Sequence, residues 1–225
     1  MKFQAVLFDC DGVLVDSEPL TNGVLRDMLE ERGWRMTQAQ CMDFFVGKAV
    51  KDEAAVIEAR TGQPLTEDWL HAFRERRNAA LRAHLKVVPG AHEGVTAAFA
   101  HAEGRIACAS GADRFKVEMQ LEKVGLLPHF AGRIFSGHEM PRSKPAPDVY
   151  LAAALHLAAS PAQCLVIEDT ATGAQAGLAA GATVWAYCPH GDGRGFAGLP
   201  VARVFSHMAD LPALLARLEA QGADA

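Results

Sequence analysis

Two carboxylates, Asp9 and Asp11, stand one residue apart in Phe8-Asp9-Cys10-Asp11-Gly12, at the end of the apolar run Phe3 to Phe8. Side chains alternate along an extended chain, so both acids start on the same side, and like charges that close are costly without a cation. Magnesium, which takes a few carboxylate oxygens and completes its shell with water and phosphate oxygens, would resolve the repulsion. The bland alternatives are two solvated loop acids or a calcium loop. An EF-hand loop needs further alternating acids, a glycine at its sixth place and a closing glutamate; here Gly12 falls at the fourth.

A second acid pair closes another apolar run, in Cys164-Leu-Val-Ile-Glu168-Asp169, before Thr170 and a small-residue stretch. Alone, such a pair is more often a helix cap than a metal ligand, and pairing it with Asp9 and Asp11 reverses that preference. Two further run ends carry the opposite chemistry. Ser110-Gly111 offers a hydroxyl and backbone N–H groups ahead of a helix, which suits a phosphate oxygen. Lys144, in Ser143-Lys144-Pro145, is constrained by proline-containing backbone and can neutralise both a phosphate and a carboxylate. A cap for Ser110 and a solvated charge for Lys144 are the plain readings of either residue taken singly.

These residues need strands to bring them together. Phe3 to Phe8, Arg105 to Ala109, Arg133 to Phe135, Cys164 to Ile167, Thr183 to Tyr187 and Val201 to Phe205 read as buried strands. Helical stretches at Asp113 to Val124, Asp148 to Leu157 and Gly173 to Ala180 alternate with the later ones. The pattern predicts an α/β core, a doubly wound parallel sheet whose strand ends share one ligand site. From Asp16 to Leu85 there are helical patterns at Leu20 to Arg32, Lys51 to Arg60 and Glu67 to Leu85, but no strand. This segment is expected to be a helical insert, residues 16–85, in a core of residues 1–15 and 86–225. Asp16-Ser17-Glu18-Pro19 reads as a helix start capped by Asp16 or Ser17, and Val87-Val88-Pro89-Gly90 as the return to the core.

Composition narrows the partners. The 225 residues include 27 acidic and 22 basic ones, giving a net charge of -5, with no basic block to follow a nucleic-acid backbone. The five cysteines lie far apart without a CxxC pair and read as buried free thiols. No HExxH pattern points to zinc. The N-terminal apolar stretch is too short for a signal peptide and no apolar run has membrane-spanning length, so the expectation is a soluble cytoplasmic protein with no membrane or nucleic-acid partner. Gly191-Asp-Gly193-Arg-Gly195 lacks the spacing of a nucleotide-binding glycine run and reads as a mobile loop.

The order Asp-x-Asp, Ser, Lys, Glu-Asp on successive strand ends resembles the haloacid dehalogenase-like hydrolase superfamily across essentially the whole chain. The insert after the first motif resembles the cap of the subfamily holding phosphoglycolate phosphatase and β-phosphoglucomutase. FSGHEMPRSKPAPDVY and CLVIEDTATGAQAGLAAGA look most like its bacterial 6-phosphogluconate phosphatase branch. The resemblance implies a Rossmann-like core and a magnesium-dependent phosphatase. In it Asp9 is the nucleophile that forms an aspartyl-phosphate, and Asp11 is the acid that protonates the leaving alcohol and then activates water. Magnesium would sit on Asp9, the main-chain carbonyl of Asp11, and Asp169, with Glu168 bound directly or one shell behind. Ser110 and Lys144 would bind the phosphoryl group, and Gly111, Lys48, Arg77 and Arg142 are candidate substrate contacts.

The substrate class implied is a small phosphate ester, and the expected state a monomer or weak homodimer. The rival enzyme is a β-phosphoglucomutase-like phosphomutase, whose cap histidine is replaced here by Thr21. The rival of another class is a silent phosphometabolite-binding protein.

Overall fold

The computed structural model describes residues 3–189, 191 and 193–223. The strands are β1 (Ala5–Phe8), β2 (Ile106–Ser110), β3 (Ile134–Ser136), β4 (Cys164–Glu168), β5 (Thr183–Tyr187) and β6 (Arg203–Phe205). They form one sheet in the order β3-β2-β1-β4-β5-β6, and every neighbouring pair is parallel. Parallel sheets are covered on both faces, which is why β1, β2 and β4 are buried along their whole length instead of alternating.

Helices α1 (Glu18–Glu30), α2 (Gln38–Phe45), α3 (Ala54–Thr61) and α4 (Glu67–His84) follow β1. Then come α5 (Ala91–His101), α6 (Arg114–Lys123), α7 (Leu127–Phe130), α8 (Asp148–His156), α9 (Ala171–Ala179) and α10 (Leu211–Ala223). The chain divides into two compact units, one of Met1–Val15 with Val87–Ala225 and one of Asp16–Lys86.

In the first unit, alanines of α8 and α9 lie close on small and β-branched strand residues: Ala153, Ala154, Ala174 and Ala176 pack with Ala107, Val166 and Val184. Gly177 is needed for that approach, since a Cβ there would fall 2.9 Å from a Val184 methyl. The strand order turns beside β1: β2 and β3 lie to one side, β4 to β6 to the other. A crevice at the carboxyl ends of β1, β2 and β4 follows from such a reversal.

The second unit has its own core, formed by Leu25, Met28 and Leu29 of α1 with Cys41 and Phe45 of α2, Ile57 of α3, and Trp69, Leu70 and Phe73 of α4. Thr37 and Gln40 form a reciprocal capping box at the start of α2. Thr66 caps α4, and Gly62, in the left-handed region, ends α3.

Several local expectations need correction. The Ser17 side chain makes no capping bond to α1; Pro19 in the first turn is the start signal that holds. The stretch from Lys51 begins as a 3-10 turn, Val50–Glu53, before α3. Helices α2 and α5 went unread, and β6 starts at Arg203, not Val201. Four of the five cysteines are buried, but Cys188 is only partly buried. Of the glycine run, Asp192 lies outside the described residues, while Arg194–Phe196 forms a 3-10 turn. No helix among the described residues is long and apolar enough to cross a membrane.

Candidate active site

The register of the sheet lines up the chemistry. Phe8 pairs with Cys108 on one side and Ile167 on the other, so Asp9 leaves β1 level with the ends of β2 and β4. The Asp9 amide donates to the Ile167 carbonyl at 3.0 Å, fixing the backbone at that point. A tight turn follows: Gly12 N–H donates to Val15 O and Leu14 N–H to Cys10 O. Gly12 has φ +76° and faces the Asp169 carboxylate, leaving no room for a side chain.

Lys144 is the centre of the charge arrangement. Its Nζ donates to Asp9 Oδ1 at 2.6 Å and to Glu168 Oε1 at 2.7 Å, and its side chain is 7% exposed. The solvated-charge reading of Lys144 is therefore wrong. It also lies 4.8 Å from the centroid of the Tyr150 ring, whose phenol donates to Glu168 Oε1 at 2.9 Å. The other Glu168 oxygen accepts from the amides of Asp169 and Thr170 and from the Thr170 hydroxyl. The cap of α9 is Thr170, which accepts from Gly173 N–H at 3.1 Å, so neither acid of the pair serves as that cap. Gly173 is bare for a reason, since a Cβ there would fall 1.6 Å from Glu168 Oε1.

Carboxylate oxygens of Asp9, Glu168 and Asp169 lie within 4.8 Å of one another. Such a set of hard oxygen donors fits magnesium. Within it Glu168 is already engaged by five protein donors, which leaves Asp9 and Asp169 as the better ligands. Burial is the main cause raising the Asp9 carboxyl, to about 7; Lys144 opposes it, while Glu168 and Asp11 add to it. For Lys144, burial disfavours the ammonium but Asp9 and Glu168 more than offset this, and its pKa is raised. More carboxylate charge than one lysine can neutralise is what a divalent cation would balance.

Asp11 lies outside that oxygen cluster among the described residues. Its carboxylate accepts from Lys116 Nζ at 2.8 and 2.9 Å and from Gln120 Nε2 at 2.8 Å. The two acids of the first motif thus have separate lysines, Lys144 for Asp9 and Lys116 for Asp11. Lys116 and Gln120 were missed in the sequence. The available signal was two polar residues four apart on α6, on the same side as the apolar Val117 and Leu121.

Ser110, 1% exposed, ends β2, and its Oγ accepts from Ala112 N–H at 3.0 Å. The cap of α6 is Asp113, not Ser110. Gly111 and Gly137 bring the loops after β2 and β3 into contact: a Cβ on Gly137 would meet Gly111 Cα at 3.3 Å and Ser143 Oγ at 2.6 Å. The Ser136 hydroxyl, donating to Ala112 O at 2.6 Å, ties these loops further.

The structure thus gathers Asp9, Lys144, Glu168 and Asp169 directly. Arg142 is not among them; its side chain is 71% exposed and its guanidinium pairs with Asp148 at 3.1 Å. In the helical unit, Lys48 pairs with Glu53 at 3.4 Å and lies over the Phe44 ring. Arg77 donates to the Asn78 side-chain oxygen at 2.9 and 3.1 Å.

A family model described as haloacid dehalogenase-like hydrolase matches residues 3–181. The chain is similar to a 6-phosphogluconate phosphatase of Escherichia coli (strain K12), 26% identical over 214 residues that cover 95% of each protein. A fructose-1-phosphate phosphatase of the same strain is 29% identical over 182 residues, 80% of this chain and 94% of that one. Among solved structures, a HAD family hydrolase from Deinococcus radiodurans R1 with bound phosphate and sodium has a TM-score of 0.80 and 33% identity, covering 97% of both chains.

Proposed function

The chain belongs to the haloacid dehalogenase-like hydrolase family, and from that premise we propose that it is a magnesium-dependent phosphatase of a small sugar or sugar-acid phosphate, with 6-phosphogluconate the first candidate. The observation that carries this reading is the Lys144 ammonium held between Asp9 and Glu168, with Asp169 beside them. It gives a nucleophile, a fixed positive charge and two oxygen ligands on adjoining strand ends.

Asp9 attacks phosphorus through a carboxylate oxygen, forming an aspartyl-phosphate as the bond to the leaving alcohol breaks. Asp11 gives its proton to that alcohol oxygen and then takes one from the water that cleaves the acyl phosphate. Lys144 and the Ser110 hydroxyl hold the phosphoryl oxygens, and the amide at Gly111 adds a further donor. Asp9 must be ionised to attack, and the Lys144 charge favours that form. Asp9, Asp169 and the Asp11 main-chain carbonyl would hold magnesium, which when bound supplies positive charge to the transferring phosphoryl group. Glu168 acts behind them, orienting Lys144 and the turn at Asp169.

Specificity is assigned to the helical unit through Lys48 and Arg77, with Arg142 as a further contact from the core. Basic groups of this kind suit the carboxylate of a sugar acid. The setting proposed is the cytoplasm, as a monomer or weak homodimer.

A screen of phosphate esters with and without magnesium, reading inorganic phosphate, tests this reading. Magnesium-dependent release from a sugar or sugar-acid phosphate is the expected result. Conversion of β-glucose-1-phosphate to glucose-6-phosphate without inorganic phosphate would instead establish a mutase.

A further inference from the structure

Lys116 is 6% exposed and Gln120 fully buried, on the side of α6 that also carries Val117 and Leu121. Buried polar groups of this kind are costly unless their bonds are made. Here they are made to one carboxylate. Lys116 Nζ reaches both oxygens of Asp11, and Gln120, one turn further along α6, donates to Oδ1. Oδ1 is thus held twice by this pair and Oδ2 once.

The support behind these two residues is itself fixed. Asp113 caps α6 by accepting from the Lys116 amide at 2.9 Å. The Gln120 side-chain oxygen accepts from Cys10 Sγ at 3.7 Å, in the residue between the two acids. Arg114, two residues before Lys116, forms a two-point ion pair with Glu139 at 2.6 Å on each arm, tying α6 to the loop after β3.

We infer that Lys116 is a positioning residue for the proton-transfer carboxylate of Asp11, with Gln120 as its second point of support. This rests on the role of Asp11 proposed above. An acid that must reach the leaving oxygen, and then the attacking water, needs its carboxyl plane held, because proton transfer depends on geometry before it depends on strength. The grip of Lys116 and Gln120 fixes that plane. In the first half-reaction the proton passes from Asp11 to the ester oxygen as the bond from phosphorus to the alcohol breaks. In the second, Asp11 takes a proton from water as the bond from water to phosphorus forms and the bond to Asp9 breaks.

The leaving group separates positioning from a merely structural role. An alkyl phosphate needs its leaving oxygen protonated, whereas 2,4-dinitrophenyl phosphate releases a stable anion and needs little help. Lys116→Met, Lys116→Arg, Gln120→Leu and Asp11→Asn are compared in the magnesium-loaded protein by rapid mixing, after thermal melting confirms the fold of each. Lys116→Met is expected to slow kcat on an alkyl phosphate by about 100-fold with little change in KM, while the first burst of dinitrophenolate slows by less than about 5-fold. Lys116→Arg should recover most of the alkyl-ester rate. Gln120→Leu, which keeps the ion pair, should show a smaller loss with the same dependence on leaving group, and so serves if Lys116→Met does not fold.

Equal losses on both esters, or no loss on either, would overturn the inference. If Asp11→Asn loses alkyl-ester turnover while Lys116→Met does not, the inference alone fails. Undiminished turnover by Asp11→Asn would overturn the role of Asp11 beneath it.

Discussion

A Cβ on Gly12 would lie 1.9 Å from Asp169 Oδ2, so the turn after β1 and the end of β4 share a space that only glycine leaves open. The turn also needs φ +76° at this point, which L side chains rarely adopt. Gly12→Ala is therefore expected to push Asp169 off its place and weaken magnesium binding by roughly 10- to 100-fold, the range seen when the support of a metal ligand is lost. Calorimetric titration with magnesium checks this, and an unchanged affinity would mean that Asp169 is not a ligand.

The raised Asp9 carboxyl makes a linked expectation. Its folded pKa of about 7 exceeds the ordinary value of 3.8, so between the two the metal-free folded chain holds a proton that the unfolded chain has lost. That contribution to stability is complete below the ordinary value and is lost as pH rises through the folded one. Melting of the metal-free protein should therefore lose this contribution progressively between about pH 4 and about pH 7. Magnesium, which binds the ionised form, should raise the melting temperature more at the upper end and release protons at the lower end. A magnesium-induced shift independent of pH would contradict the assignment of Asp9 as a ligand.

Tyr150 is expected to matter through Glu168. Burial, with Glu168 adding to it, holds the phenol protonated and well above its usual range, so it remains a donor. Tyr150→Phe removes one bond to a buried carboxylate and keeps the ring against Lys144. A loss of about 1.5–3 kcal/mol in unfolding free energy is expected for a hydrogen bond to a charged group. Denaturant titration reads it, and catalytic loss should be modest because Lys144 keeps its bond to Asp9.

In the helical unit, Arg77→Met and Lys48→Met should raise KM for a sugar-acid phosphate more than for p-nitrophenyl phosphate, leaving kcat on the latter nearly unchanged. Steady-state assays of both esters make the comparison. Equal effects on the two substrates would remove these residues from specificity.

The sheet was legible because its strands are apolar runs that stop at charged or small residues, and β5 occupies Thr183–Tyr187, the run read from the sequence. Asp9 and the Glu168-Asp169 pair could be placed at strand ends for the same reason. Helix α2 was less visible, since its start depends on a reciprocal bond between Thr37 and Gln40 in a short segment. Lys116 was hidden differently. A lysine on a helix normally reads as solvent-facing, and only the fold brings it to Asp11, 105 positions away along the chain. The five-donor setting of Glu168 was equally out of reach, because Tyr150 and Lys144 come to it from other elements.

Asp9 is the proposed nucleophile, and turnover by Asp9→Asn at saturating magnesium, with its fold verified by circular dichroism, tests that role most directly. A folded protein with no measurable phosphate release is the expected result, since the amide oxygen cannot form the acyl phosphate by the same route. Appreciable magnesium-dependent phosphatase activity in the purified variant would contradict it.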